Sequence, residues 1–526
     1  MLGIACGSLN TVVGVKKGAG VDIVLSLTSK RASPVVITFG DKERFYGDEA
    51  AEIQKSRVTT SVNYIPRTLG FQPEWDGFDK EYKYSLAKPK ADNLTGRTCF
   101  EIDYKGKTEI IYPESAMGLF FNKLKKLWAS GVCTDTQSVS VSVPDYFTVN
   151  ERQAMIDAVR VADLKLIQLV NESSANCLNY GLFRRSQSDD KAPRIVAFVD
   201  VGQSKTSVFF GSFTKNNQKV ISVTTDRNCG GRDFDYILTE FFANMFNKKY
   251  GSNPITKDKC VIRMMEVVAK ARKILSGNTE TQVSIESWLD DEDLSYLLSR
   301  NEFEQIVAPV IARIKETFKR AILESKLKPE EIHSVEMVGD VVRTPLVQQA
   351  IKEIFGQEVS KTLAPDESIA RGTTLFSALS SPFFQIKDYS FEHFNNHTIQ
   401  IEYPFMKDGQ IQIRTHKIIS KGDHFPTKKS IKFTEKQMPP ESVINIKLSY
   451  LPEEAPHMKN TIIQAYEIHL PKVNSEKFEF VLHFVMDQNG VPFIERGNLN
   501  EIWFEDAPVD KNVDGKEKTD NKDNKM

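Results

Sequence analysis

The feature that most constrains how this chain folds is a strand–turn–strand pattern that occurs twice. Ile195–Val199 is an unbroken apolar run, Asp200-Val201-Gly202-Gln203-Ser204-Lys205-Thr206 has turn composition, and Ser207–Phe213 is again mostly apolar. Short apolar runs bounded by turn residues read as buried strands. Gly3–Val15 repeats the pattern near the N-terminus, with Ala5-Cys6-Gly7-Ser8-Leu9-Asn10-Thr11 falling under Asp200–Thr206. Building one hairpin twice predicts two pseudo-equivalent halves, each offering backbone N–H groups to one side of a phosphate chain. The repeat fails at one position, where the first hairpin has Ala5 and the second Asp200. A cradle that loses a carboxylate is suited to holding a nucleotide more than to cleaving it.

The segments around the hairpins alternate between strand and helix patterns, which predicts α/β layers. Phe100–Ile111 reads as strands about a Lys105-Gly106 turn, Ser115–Gly131 as an amphipathic helix, and Val139–Val143 as a strand ending at Pro144. Thr148-x-x-Glu151 is a capping box for a helix through Val161. Leu166–Val170 is a strand leading into a helix from Asn171 to about Tyr180. Asp233–Tyr250 and Val261–Leu275 read as helices, Ser299-x-x-Glu302 caps a long one to about Ser325, and Pro345 opens another to Phe355 after the strand Val335–Val338. From Tyr389 to Phe504 the pattern changes to short alternating strands between Pro, Gly and Asn, which predicts an all-β sandwich. The expected organisation is an α/β domain at 1–385, a β-sandwich at 389–506 and a charged, disordered tail at 507–526.

Composition removes several function classes. With 69 basic and 70 acidic residues the net charge is −1, giving no electrostatic reason to expect nucleic acid or an acidic membrane as partner. No run approaches the roughly 18 apolar residues of a membrane span. The six cysteines lack C-x-x-C spacing, which points away from zinc sites and disulfide frameworks. A cytoplasmic setting is expected, with the nucleus also open.

Six motifs in order identify a resemblance. Val143-Pro144-Asp145-Tyr146-Phe147, Asn171-Glu172, the Asp200 hairpin, Gly230-Gly231-Arg232-Asp233-Phe234-Asp235, Ile274-Leu275-Ser276 and Val338-Gly339…Arg343-Thr344-Pro345 together resemble the heat-shock 70-kDa chaperone superfamily. The resemblance implies an actin-like (ribonuclease H-like) two-lobed ATPase domain followed by a β-sandwich that binds peptides. Within the superfamily the chain looks most like the large 110-kDa branch, whose members are nucleotide-exchange factors. Gly202-Gln203-Ser204, Arg232 and the stretch Leu275–Leu298 carry that likeness. The branch has a long C-terminal helical bundle, whereas this sequence stops soon after the sandwich, so either partner contact rests on the ATPase lobes alone or the chain is shortened in sequence or function.

The resemblance also assigns roles. The family's first-hairpin aspartate, which organises magnesium, is Ala5 here, and the lysine that positions the attacking water is Pro66, so hydrolysis is expected to be impaired. Glu172 and Asp200 remain as catalytic remnants able to hold magnesium-bound waters, or as hydrogen-bonded relics of the lobe interface. Gly7, Ser8, Leu9, Gly202, Gln203, Ser204, Gly230 and Gly231 match phosphate-binding positions. Arg272, Lys273 and Ser276 match the adenosine helix, with Ala269 replacing its usual glutamate; Gly339, Asp340, Arg343 and Asp366 match the adenosine and ribose loops. Lys205 stands where the 70-kDa proteins have threonine; it either contacts the β- or γ-phosphate and partly replaces magnesium, or points to solvent at the hairpin tip. ATP and ADP are the expected ligands, with magnesium open. A 70-kDa chaperone and unfolded or extended client peptides are the expected partners, and ATP is expected to hold the lobes closed. A hydrolysing foldase and a passive holdase are the rival readings. In the β region Phe391, Phe394, Phe405, Phe425 and Phe433 are expected in the core, and His393, His397, His416 and His424 on the surface.

Overall fold

The computed structural model describes residues 1–18, 20–129, 137–187, 190–380, 389–437, 443–470, 473, 475 and 477–502. The tail expected to be disordered lies outside the described residues. The fold is mixed α/β with several sheets, and the two hairpins sit in two sheets of the same design. In the first sheet the spatial order is Lys165–Asn171, Ser138–Val143, Leu2–Cys6, Asn10–Lys17, Gly20–Ile23. In the second it is Val359–Ser360, Ile332–Val338, Arg194–Val201, Thr206–Phe213, Asn217–Asp226, with Ser390–Phe391 added beyond. In each, three successive strands run antiparallel, and two later strands join parallel to the first.

The register of the hairpins matches residue for residue. Cys6 pairs with Thr11, and Val201 with Thr206. The Gly7 N–H donates to the Asn10 carbonyl at 3.1 Å, and the Gly202 N–H to the Lys205 carbonyl at 3.0 Å. The central strands are buried on both faces, as their continuous Val, Ile and Phe runs predicted. Each half closes over its own apolar core, one including Ile4, Phe120, Val141 and Met155, the other Val199, Phe234, Val268 and Phe318. Each such buried side chain contributes about 1.5–3 kcal/mol.

The β region builds a four-stranded sheet (Gln410–Ile419, Ile399–Lys407, Val443–Tyr450, Ile462–His469) and a three-stranded one (Thr427–Thr434, Lys477–Met486, Pro492–Ile502). Inward residues such as Ile401, Ile446, Leu448, Phe433, Phe480 and Leu482 share one core. Phe71 and Trp75 of the first half enter that same core. Hydrogen bonds continue the seam: the Val149 N–H donates to the Tyr450 hydroxyl at 2.6 Å, the Leu169 N–H to Asn489 Oδ1 at 2.9 Å, and Arg152 Nη1 to the Asn489 carbonyl at 3.1 Å. Ser390–Phe391 pairs in parallel with Asn217–Gln218 at the edge of the second sheet.

Several expectations need correction. The long helix after Ser299 is two, Arg300–Ile306 and Ala308–Ser325, because Pro309 has no N–H to continue the first helix and starts the second instead. Leu275–Leu298 contains the hairpin Glu280–Leu289 and Glu292–Ser299, its alternating burial matching a sheet with one covered face. His393 and His397 are buried, not on the surface, and His424 is half-buried. They lie on the seam, where the His393 ring rests between Phe376 and Phe425. Phe425 and Phe433 are sandwich core with Phe405 packed against it, but Phe394 belongs to a core cluster of the second half and Phe391 packs on Phe376.

Candidate functional site

Between the hairpins lies a cleft of about 620 Å³. Gly7, Ser8 and Leu9 line one wall; Gly202, Gln203, Ser204 and Lys205 line the other. Since the glycine N–H groups close the turns, the free donors are those that follow. The N–H groups of Ser8 and Leu9, and of Gln203, Ser204 and Lys205, donate to no group among the described residues. Backbone N–H groups without an internal acceptor at a cleft wall are the kind of donors that anion-binding turns use.

Gly230 and Gly231 stand behind the second hairpin, outside the cleft wall. The first N–H groups of the helix Gly231–Tyr250 are used to hold that hairpin, Gly231 donating to the Gly202 carbonyl at 2.9 Å and Arg232 to the Gln203 carbonyl at 2.7 Å. A Cβ at Gly230 would lie 2.7 Å from the Gly202 carbonyl oxygen, so the approach demands glycine. Gly339 lines the cleft with φ at +83°, a second position where a side chain is strained.

The cleft floor carries the two carboxylates. The Lys205 ammonium lies 2.5 Å from Asp200 Oδ2 and 2.8 Å from Glu172 Oε2, with its side chain 12% exposed. The solvent-pointing alternative for Lys205 is thus set aside. Burial pushes the Glu172 carboxyl up to about 7 against the pull of Lys205. Burial acts to lower the Lys205 ammonium, but Asp200 and Glu172 outweigh it and raise it above its ordinary value. Magnesium does not fit this donor set. Ala5 offers no side-chain oxygen, and both carboxylates already close on an ammonium.

Of the residues expected at the adenosine, Arg272, Lys273, Gly339, Asp340 and Asp366 line the cleft, whereas Ser276 and Arg343 do not. Ser276 folds onto its own helix, its hydroxyl donating to the Arg272 carbonyl at 3.1 Å. Arg272 is buried against Asp235, which also accepts from Gln203. Lys273, Asp340, Arg343 and Asp366 form a chain of half-exposed ion pairs across the mouth at 2.8–3.1 Å. Burial acts to raise the Asp340 carboxyl, yet Lys273 and the neighbouring arginines hold it below its ordinary value. Pro66 lines the cleft too.

Sequence reasoning missed Asp235, Glu81 and the pairs Lys30–Asp48 and Arg31–Glu367 at the rim. Only Asp235 had a signal, as the last residue of the Gly-Gly-Arg-Asp-Phe-Asp motif.

Residues 1–523 match the family described as Hsp70 protein. Heat shock protein homolog Sse1 of Saccharomyces cerevisiae is 32% identical over 82% of this chain and 62% of its own length. Heat shock protein hsp88 of Neurospora crassa is 30% identical over 89% of this chain and 66% of its own. Heat shock 70 kDa protein 16 of Arabidopsis thaliana is 30% identical over 82% and 56%. The chain thus spans about three fifths of the length of the curated relatives it matches. With a matching family over nearly its whole length, the chain belongs to the Hsp70 protein family.

Proposed function

We propose that the two α/β halves are the lobes of an actin-like nucleotide-binding domain, residues 1–385, and that residues 389–506 are a peptide-binding-like sandwich. In this reading the chain is an ATP- and ADP-binding co-chaperone that promotes nucleotide exchange on a 70-kDa heat-shock chaperone, with extended client peptides as further partners. A cytoplasmic or nuclear setting belongs to the same reading, supported by the five cysteines among the described residues, all buried as free thiols.

The observation that carries the proposal is the pair of matched hairpin turns, both lining one cleft and both with backbone N–H groups that no described residue accepts from. The phosphate chain lies between them, and Lys205 reaches its β- or γ-phosphate. Arg272, Lys273, Asp340 and Asp366 flank the nucleoside, and the ion pairs at the mouth rearrange to admit it. Phosphoryl transfer depends on positioning and on charge neutralisation. Ala5 and Pro66 supply neither, so the cleft binds without efficient cleavage. A protein of this kind acts on its partner through differential affinity for the partner's open state, which needs no chemistry of its own.

Release of fluorescent ADP from a 70-kDa chaperone, with substoichiometric amounts of this chain and ATP present, tests the proposal. Acceleration well above the spontaneous rate is the expected result. Unchanged release, with ATP binding demonstrated by calorimetry, overturns the exchange function.

A further inference from the structure

Of the eight histidines in the chain, His393, His397, His424 and His457 lie on the seam of the β region, and each reaches across it. The His393 ring rests on Phe376 of the first half, with centroids 5.0 Å apart, and on Phe425 of its own side at 5.1 Å. His397 Nε2 lies 3.2 Å from the Tyr146 carbonyl, and His424 Nε2 lies 3.1 Å from the Val220 carbonyl. The His457 ring stands edge-to-face with Trp75 at 5.6 Å. No other histidine among the described residues is buried.

The seam has no place for a second proton on these rings. Nδ1 of His393, Nδ1 of His397 and Nε2 of His457 are buried with no hydrogen-bond partner among the described residues. In an imidazolium both ring nitrogens donate, so charging any of the three buries an N–H with nothing to receive it. The surrounding charges do not make up for that. His393 faces Arg152, on the helix Val149–Val161, and His424 on the paired strand. His397 faces Glu151 and Arg152 on that helix and Glu454 on its own side. Glu151 is already taken up by Thr148 and Arg227, and Glu454 by Thr398. His457 faces Arg227, Glu151, His397 and Asp76, and His424 faces Lys219, Glu392 and Asp423. Burial holds all four rings below the ordinary imidazole range, His393 at about 3 and His457 at about 4.

Opening the seam returns the rings to water, where imidazole titrates near pH 6.5, so the open form takes up protons that the closed form refuses. Closure is at full strength above that pH and weakens as pH falls towards the values of the closed form. We propose that the seam is an acid-released joint, in which charging His393, His397 and His457 frees the β region from the two halves while their own cores stay folded. This joint is independent of what the cleft binds.

Amide hydrogen exchange on the full chain tests it. The N–H groups of Asp76, Val149 and Leu169 donate across the seam, to the His457 carbonyl, the Tyr450 hydroxyl and Asn489 Oδ1, so their exchange reports the joint. After correction for the intrinsic effect of pH on exchange, their protection is expected to fall about 100-fold from pH 6.5 to 5.5, about five-fold for each of the three histidines. Protection of the strands Leu2–Cys6 and Arg194–Val201 is expected to hold within about two-fold. His393→Phe and His457→Phe keep the ring contacts, and each is expected to remove about five-fold of the fall. Adding His397→Gln, whose amide can still donate to Tyr146, is expected to leave a fall below about three-fold. Should the triple variant fail to fold, wild type and the two single variants decide. Seam amides that keep their protection at pH 5.5 overturn the proposal, as do variants that lose it as steeply as wild type. Loss of protection in the two core strands at the same pH also overturns it, because acid would then unfold the halves instead of parting them.

Discussion

Lys205 sits with its ammonium between two carboxylates whose side chains are 7% and 4% exposed. Removing one member of a buried ionic cluster leaves the others without counter-charge, at a cost of about 3–5 kcal/mol. Lys205→Thr is expected to lower stability in urea by about 3 kcal/mol in the presence of EDTA. Magnesium is expected to restore part of that loss, because the vacated space then offers a divalent cation two carboxylates. A variant as stable as wild type in EDTA would show that Glu172 and Asp200 do not depend on the lysine. His393 carries a second prediction. Burial, with Arg152 nearby, pushes its imidazole down to about 3, so the folded protein holds it neutral. The unfolded chain takes up a proton below about pH 6.5. The contribution of His393 is therefore complete above that pH and is lost as pH falls towards the folded value, at about 1.4 kcal/mol per pH unit. His393→Phe keeps the contact with Phe376 and Phe425 while removing the titration. Its unfolding free energy is expected to fall less steeply between pH 6.5 and 4.5, by about one proton's worth.

At the scale of elements, the features legible in sequence are those fixed by local pattern. The capping box is one: the Thr148 N–H donates to Glu151 Oε2 at 2.8 Å, and the Thr148 hydroxyl accepts from the Glu151 N–H. Thr148→Val is expected to cost about 1 kcal/mol and to speed exchange in the first turn of Val149–Val161. The hairpin turns were legible for the same reason, since glycine and register are read from neighbours along the chain. The hairpin Glu280–Leu289 and Glu292–Ser299 is less legible, because its strands cover one face only and so carry no continuous apolar run. The Pro309 break was visible in sequence but hidden by the strong cap at Ser299. The ionic partners were out of reach for a different reason. Arg232 is 151 positions from Glu81 and Asp235 is 37 from Arg272, and nothing in local periodicity says which charges meet. Arg232 stood out only as a departure from the usual residue, and the fold supplied the reason.

Over the whole molecule the seam between the β region and the first half is packed as tightly as an interior. Trp75 is 3% exposed, with ring centroids 5.3 Å from Phe71 and 5.6 Å from His457. Truncating a buried aromatic costs about 3–5 kcal/mol, and here the loss falls on the seam. Trp75→Ala is expected to split calorimetric unfolding into two transitions, with the β region melting first. A single transition, merely shifted down, would mean that Trp75 supports one cooperative unit and not a joint between two.

The short pairing of Ser390–Phe391 with Asn217–Gln218 has a consequence for how this molecule meets other chains. While the pairing lasts, that rim of the second sheet is sealed by the protein itself. Without Ser390–Phe391 the Asn217–Gln218 end of the strand would present bare amide and carbonyl groups, the kind of edge to which extended polypeptide adds. The β region thereby caps, with a single short strand, the one end of that edge it reaches.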